Sequence, residues 1–181
     1  MKEISVQELC FNPMTMIGGE WMLIAAGNEK DGYNAMTASW GHLGSIWQRP
    51  GRKAHMGLPT VVVYLRPQRY TKEFVDREEI FTLSFFDASY KKALTYLGTH
   101  SGRDGNKFDK AGLTPVFERD TTYFKEAKLV FICRKLYHAP LQDTGFVDKS
   151  LVENNYPQKD FHEMYVGEIF KVLIKEDKKE G

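Results

Sequence analysis

Short runs rich in β-branched and aromatic residues constrain the fold of this chain more than any other feature. Thr60 to Leu65, T-V-V-V-Y-L, is the clearest of them and predicts a buried strand. Trp21 to Ala26 and Tyr33 to Trp40 flank the turn-forming segment Gly27 to Gly32, which is typical of a hairpin. Three further strands are predicted at Ile80 to Phe86, Lys128 to Tyr137 and Met164 to Ile174.

Two helices are predicted between these strands. Thr71 is suited to cap the first, which would run through Arg77, and Asp87 to cap the second, from Ala88 to about Gly98. Apolar residues recur in the second at i, i+3, i+4 and i+7, which predicts a buried face made of Tyr90, Ala93, Leu94 and Leu97. The order of elements lacks the alternation of a doubly wound parallel sheet. The sequence therefore predicts a mainly β fold, an antiparallel β-barrel with peripheral helices.

Length and composition narrow the functional classes. A chain of 181 residues suits one domain, expected over 1–174, followed by a charged tail at 175–181. The net charge of +1 argues against nucleic-acid binding, and no membrane span or secretory signal is recognised, so a cytoplasmic protein is expected. Neither the two cysteines nor the histidines show metal-ligand spacing, and we predict no metal among Cys10, Cys133, His42, His55, His100, His138 and His162.

The first candidate site segment lies at the end of the second predicted strand. Small and hydroxylated residues there would let backbone N–H groups approach the polar edge of a planar ligand, while Met36 and Trp40 offer apolar surface to its face. The segment comprises Asn34, Ala35, Met36, Thr37, Ala38, Ser39 and Trp40. Its alternative interpretation is an ordinary strand edge whose polar side chains bond within turns.

The second candidate segment follows the buried strand at Thr60 to Leu65. Arg66, Arg69, Tyr70 and Thr71 stand at the start of a predicted helix, where fork-shaped cations and free N–H groups would suit a phosphate. A solvated loop with two arginines of no special role is the alternative.

The third candidate segment is a polar loop punctuated by glycines, from Thr99 to Phe108. Ser101 and the amides near Gly102 could donate to an anion, and Arg103 or Lys107 could supply charge. The same composition fits a plain connection between elements. The chain has neither a G-x-G-x-x-G motif nor a P-loop, so any nicotinamide would have to meet another cofactor directly.

Four segments in fixed order together resemble a known family. They read N-A-M-T-A-S-W-G-H-L-G-S-I-W-Q-R-P, Y-L-R-P-Q-R-Y-T, F-T-L-S-F-F and T-H-S-G-R-D-G-N-K-F-D-K-A-G-L. The chain is similar in these segments to the flavin reductase-like, FMN-binding split-barrel family, and within it to the flavoredoxin-like branch. The likeness runs from about Trp21 to Ile174.

The resemblance implies a six-stranded Greek-key split barrel that forms a homodimer with one FMN per subunit. It implies ring and ribityl contacts from the first segment and a phosphate clamp of Arg66, Arg69, Tyr70, Thr71, Ser101, Gly102 and Lys107. It also implies that the strand carrying Ser84, Phe85 and Phe86 lines the site, without deciding which of the three faces the flavin.

The resemblance leaves three functions open. The first is an NAD(P)H-dependent reductase that passes electrons through FMN to free flavin or to a partner. The others are an electron carrier reduced by another protein, and a flavin-binding or sensing protein without turnover. Hydride transfer to FMN requires no side-chain nucleophile, so no catalytic residue is named, although His42 and His100 are candidate proton donors. The sequence does not choose between NADH and NADPH.

Overall fold

The computed structural model describes residues 1–51, 57–118 and 120–176. Within them the strands are β1 (Lys2–Ile4), β2 (Met22–Asn28), β3 (Gly32–Ala38), β4 (Gly41–Ile46), β5 (Leu58–Leu65), β6 (Ile80–Phe85), β7 (Pro115–Glu118), β8 (Thr121–Phe124), β9 (Leu129–Pro140) and β10 (Glu163–Ile174). The α-helices are α1 (Tyr70–Arg77), α2 (Lys91–Thr99), α3 (Phe108–Ala111) and α4 (Ser150–Asn155).

One antiparallel sheet holds most of these strands in the order β3-β2-β6-β9-β10-β5-β4, with β1 added beside β10. The strands at the two ends of this path, β3 and β4, follow each other in the chain with only Ser39 and Trp40 between them. Three Cα–Cα steps span at most about 11 Å, so the two ends of the sheet must meet and the sheet must curl. No ladder joins β3 to β4 among the described strands, and the barrel is therefore split at this point.

Alternate residues of the strands enter two separate apolar clusters, as the period of two requires. The cluster inside the barrel takes residues from most strands, including Met22, Ile24, Leu83, Phe85, Phe131 and Tyr165. The second cluster lies on the outer face, where Leu23 and Ala25 of β2 pack with Leu94 and Leu97 of α2. Phe108 of α3 and Tyr123 and Phe124 of the β7–β8 hairpin complete it.

The mainly β, antiparallel fold class predicted from the sequence is confirmed, and each predicted strand is present with slightly shifted ends. The predicted number of strands was too small: the main sheet has eight strands and β7–β8 form a second sheet of two. The extra strand β4 was missed because its exposed residues and two glycines give no apolar signal. It is held by its pairing with β5, which no local pattern announces.

Both predicted helices exist and the predicted end of the first at Arg77 is confirmed, but each α-helix begins at a different residue from the one predicted. Helix α1 begins at Tyr70 with Arg69 as its extended N-cap, so Thr71 lies inside the first turn, where its hydroxyl accepts a hydrogen bond from the Asn34 side chain. Helix α2 begins at Lys91 and runs through Gly98 to Thr99, and Asp87 stands at the N-cap position of a short 3-10 turn before it without a side-chain capping hydrogen bond.

The predicted apolar face of α2 is present, with Leu94 and Leu97 buried and Tyr90 packed beside them. Of the predicted tail 175–181, residues 177–181 lie outside the described residues. Along the described ranges, no helix has both the length and the apolar character needed to cross a membrane.

Gly167 offers a direct test of the packing between β10 and the barrel interior. A Cβ at this position would lie 2.6 Å from Cζ of Phe81, a side chain only 1% exposed, and 3.1 Å from Cβ of Cys133. We expect Gly167→Ala to lower the free energy of unfolding by about 1 to 3 kcal/mol, measured by urea denaturation. The matched control is Gly44→Ala in β4, where an added Cβ meets nothing within 4 Å. Equal stability of the two variants would contradict the packing described here.

Candidate functional site

Two adjoining cavities open beside the split in the barrel. The larger, of about 400 Å³, lies between the end of β3 and the C-terminal half of α2, and the smaller, of about 150 Å³, lies beyond it toward α1 and the loop at Ser101. Met36, Arg69 and Thr99 line both, so the two cavities are neighbours along one cleft. We call them the ring chamber and the anion pocket.

The anion pocket gathers two cations from different parts of the chain. Lys107 is only 5% exposed, and its ammonium donates to the carbonyls of Leu97 at 3.2 Å and His100 at 3.0 Å. Burial lowers the pKa of Lys107 to about 8, and the positive charge of Arg69 contributes to the same shift. Arg69 donates to the Gly98 carbonyl at 3.0 Å. A buried ammonium and a guanidinium that disfavour each other would both be stabilised by an anion between them.

The opposite wall of the anion pocket depends on a buried hydrogen bond. The side-chain amide of Asn34 donates to Oγ1 of Thr71 at 3.0 Å and fixes the middle of β3 to the first turn of α1. Gly102 packs directly on this amide, because a Cβ there would lie 2.4 Å from Oδ1 of Asn34. Only a glycine lets the loop approach so closely, and Ser101 is thereby brought to the pocket.

The ring chamber has one wall from β3 and another from α2. Met36 and Ala38 are buried in the first wall, and Oγ1 of Thr37 donates to the Leu94 carbonyl of α2 at 2.6 Å. Trp40 follows the strand and is 45% exposed, so its indole remains available to a ligand. The chamber combines apolar side chains with hydroxyl and charged ones, and its volume is sufficient for a planar ring system.

Arg66 also lines the ring chamber, but its charge is already compensated. Its guanidinium forms an ion pair with Asp160 and donates to the Asn155 carbonyl at 2.8 Å, and Gln68 donates to the same carboxylate at 3.0 Å. These contacts hold the pKa of Asp160 below its ordinary value. Arg66 therefore connects β5 to the segment before β10, and Arg69 is the arginine at the anion pocket.

His162 lies on the wall of the ring chamber near Trp40, with ring centroids 4.9 Å apart. Its Nδ1 and the hydroxyl of Tyr156 are 2.9 Å apart. Burial, with the nearby charges of Arg66 and Arg69, lowers the pKa of His162 to about 4. The imidazole is consequently neutral at pH 7 and adds no charge to the chamber.

Trp21 forms another edge of the chamber from an unusual backbone conformation. Its φ is 74°, in the left-handed region that a bulky residue rarely adopts, between a π-helical turn and β2. The ammonium of Lys91 in α2 lies 3.1 Å from the centroid of the indole and donates to the Gly19 carbonyl. These contacts fix the orientation of Trp21 against α2.

The three candidate segments converge in this cleft. Most residues proposed from them line one cavity or both: Asn34, Met36, Thr37, Ala38, Ser39, Trp40, Arg66, Arg69, Tyr70, Thr71, Ser101, Gly102 and Lys107. Ala35 and Arg103 line neither cavity. His100 also lines the anion pocket, whereas His42 lies on another cavity and not on these two. Their convergence makes a single site of three separate sequence signals.

Ser84, Phe85 and Phe86 do not line either cavity. Phe85 points into the barrel interior, and Phe86 belongs to the cluster beneath α2. Ser84 pairs with Leu23 and Val130 of the outer face, and its hydroxyl is buried without a hydrogen-bond partner among the described residues. Strand β6 lies between β2 and β9, too far inside the sheet to reach the split.

Several lining residues were missed from the sequence, among them Trp21, Tyr64, Leu94, Thr95, Gly98, Thr99 and His162. Of those on α2, Leu94 belongs to the predicted apolar face and the other three follow it along the helix, so the helix itself was a usable signal. Trp21 and His162 carried none, because each reaches the chamber through tertiary structure. Across the described residues, no group of three or more His, Cys, Asp or Glu side chains could hold a metal ion.

Solved structures share this architecture at low sequence identity. Flavoredoxin of Desulfovibrio vulgaris is 22% identical with a TM-score of 0.61, over 89% of this chain and 73% of that one. An FMN-binding protein from Thermus thermophilus is 19% identical with a TM-score of 0.61, over 100% of this chain and 86% of that one. An NADH:FAD oxidoreductase from Streptomyces globisporus is 14% identical with a TM-score of 0.61, over 86% of this chain and 75% of that one. These similarities show the fold.

Family membership comes from the sequence. A search of curated protein sequences gave no match. The sequence profile of the family described as flavin reductase like domain matches residues 55–181, well over half of the chain. The resemblance inferred from the four ordered segments is thereby confirmed. The chain belongs to the flavin reductase-like domain family.

Proposed function

We propose that this protein binds FMN in the cleft at the barrel split and acts as an oxidoreductase. The observation that carries the proposal is that a ring-sized chamber joins a pocket holding a buried lysine, and that Arg69 lines both. A mononucleotide with a planar ring at one end and a phosphate at the other matches both halves. The membership in the flavin reductase-like family supports the same ligand.

The anion pocket fits the phosphate by its donors. Arg69 and Lys107 supply charge, and the hydroxyls of Ser101 and Thr71 line the same small volume. A phosphate dianion would offset the mutual repulsion that helps to depress the pKa of Lys107. Arg103 lies outside this pocket, because its guanidinium pairs with Glu73 and stacks over Tyr70 at 4.5 Å.

The ring chamber would hold the isoalloxazine beside β3. Met36 and Leu94 would exclude water from its faces, and Trp40 would cover the part nearest the split. The neutral imidazole of His162 would border the ring without adding charge. FMN, when bound, supplies the chemistry of accepting a hydride and releasing electrons. The protein's part is to orient the ring and leave one side of it accessible.

NAD(P)H is the electron donor that we propose, passing electrons through FMN to free flavin or to a partner protein. The absence of a G-x-G-x-x-G motif means that a nicotinamide would reach the flavin without a dinucleotide-binding fold of its own. The Streptomyces NADH:FAD oxidoreductase shares the fold and is consistent with this choice. We further propose one domain over 1–174, a homodimer and a cytoplasmic location.

A second candidate function is electron transfer between proteins. Flavoredoxins of Desulfovibrio vulgaris and Methanosarcina acetivorans are both among the structural neighbours. In that case the bound FMN would be reduced by another protein, and the same cleft would serve. The two candidates differ only in the source of electrons.

The phosphate assignment can be tested at Arg69. We expect Arg69→Ala to weaken FMN binding by about 1.5 to 3 kcal/mol, because one charge-assisted hydrogen bond is lost while the fold stays intact. Calorimetric titration gives the affinity, and circular dichroism checks the fold. Arg103→Ala is the matched control, since it removes a neighbouring arginine from outside the anion pocket. Equal affinities in wild type and Arg69→Ala would show that the clamp is misassigned.

The pKa of Lys107 predicts a pH dependence. The protonated ammonium attracts the phosphate and the neutral amine does not, so FMN affinity should fall as pH rises above about 8. The decrease should approach about ten-fold per pH unit once the amine is neutral in the free protein. Riboflavin, which lacks the phosphate, serves as the control and should bind with a flat profile over the same range. An FMN profile as flat as that of riboflavin would contradict the role of Lys107.

The electron donor can be identified with FMN-loaded protein kept free of oxygen. Mixing with NADH or NADPH should bleach the visible absorbance of the bound flavin, because the reduced ring loses its yellow colour. If both nicotinamides leave the protein yellow and a reduced ferredoxin-type donor bleaches it, the electron-transfer function replaces the reductase.

A further inference from the structure

A second, larger cavity adjoins the ring chamber on the other side of the split. It has a volume of about 620 Å³, and Ser39, Trp40 and Tyr64 line both it and the ring chamber. Its remaining walls come from the turn before β2, the start of β4 and the excursion between β9 and β10. The function proposed above leaves this cavity without an occupant.

The lining determines which ligands are suitable. Its apolar side chains include Ile17, Leu43, Phe146 and Leu151, and none of the described residues that line it is Asp, Glu, Lys or Arg. A diphosphate or a second FMN phosphate would therefore lose its hydration without gaining a charged partner. The cavity is large enough for one or two rings, and an uncharged ring compound is the class that it suits.

One polar group is placed where it can orient such a ligand. The hydroxyl of Tyr64 lies 3.5 Å from Nδ1 of His42, on the wall shared with the ring chamber. Burial raises the pKa of Tyr64, so the phenol keeps its proton at neutral pH and remains a donor. A carbonyl oxygen on the ligand is the natural acceptor for this proton.

We propose that this cavity binds an uncharged mono- or bicyclic compound bearing a ring carbonyl, with the carbonyl directed at Tyr64 and the ring against Leu43, Phe146 and Leu151. The ligand would lie beside Trp40, next to the ring chamber. The claim that this ligand exchanges electrons with FMN rests on the proposed function. The claim that the ligand binds in this cavity does not, so the two claims can be tested separately.

The probe is 1-tetralone, a bicyclic aromatic ketone that has no charge and does not alkylate thiols. We expect saturable binding to the wild-type protein by calorimetric titration. The anion 2-naphthoate, similar in size, should bind about ten-fold more weakly or not at all, because the cavity offers no cation. Tyr64→Phe should lower the affinity for tetralone several-fold, because the hydroxyl donor is lost.

Leu151→Trp should weaken tetralone binding several-fold by crowding the proposed ring position from α4, where Leu151 is 46% exposed and the larger side chain can be accommodated without disturbing the core. Val147→Trp is the matched control, because Val147 is fully exposed in the same excursion and does not line the cavity. Arg69→Ala should lose FMN affinity and keep tetralone affinity, which separates this proposal from the previous one.

Three results would overturn the proposal. Wild-type protein that binds FMN but not tetralone would exclude the ligand and leave the flavin function standing. Tetralone affinity that is unchanged by both Leu151→Trp and Tyr64→Phe would place the compound elsewhere. Tetralone affinity that falls as protein concentration rises and the protein self-associates would show that a second copy of the chain occupies the cavity.

Discussion

The two-residue connection at Ser39 and Trp40 is the constraint on which the rest of this structure depends. It requires the ends of an eight-stranded sheet to meet while leaving β3 and β4 without a ladder between them. A closed barrel would bury both edges in hydrogen bonds. Here the open edge borders a ring-sized chamber on one side and a larger apolar cavity on the other, and Trp40 lines both.

The other end of the cleft is governed by charge. Lys107 is buried with its hydrogen bonds directed to two carbonyls, and Arg69 lies near enough to help depress its pKa. A fold does not retain such a pair for stability, because each cation destabilises the other. The arrangement becomes favourable when an anion is present. We therefore regard the anion pocket as built for binding, with Asn34, Thr71 and Gly102 supplying its rigid wall.

Much of the fold could be predicted from the sequence because long apolar runs such as Thr60 to Leu65 report burial directly. Strand β4 could not be predicted, because the pairing of an exposed edge strand depends on its partner strand and not on its own residues. The cap of α1 was misplaced: Thr71 lies inside the first turn, and its hydroxyl accepts a hydrogen bond from Asn34, 37 positions away in the chain. Local patterns cannot anticipate an interaction over that separation.

The residues of the candidate site also fall into those that local motifs predict and those that only the tertiary structure identifies. Residues in ordered motifs, such as Arg69 and Lys107, could be named from the sequence, and the structure brings them into one cleft. Ser84, Phe85 and Phe86 could not be assigned to a face without the pairing of β6 between β2 and β9. His162 reaches the ring chamber only through the long excursion before β10.

A crystal structure of the protein grown with FMN would test the central claim most directly. The account predicts electron density for the phosphate between Arg69 and Lys107, and for the ring in the chamber beside Met36 and Trp40. Density for the flavin at another surface, or FMN in the cleft with its phosphate directed away from Lys107, would contradict it.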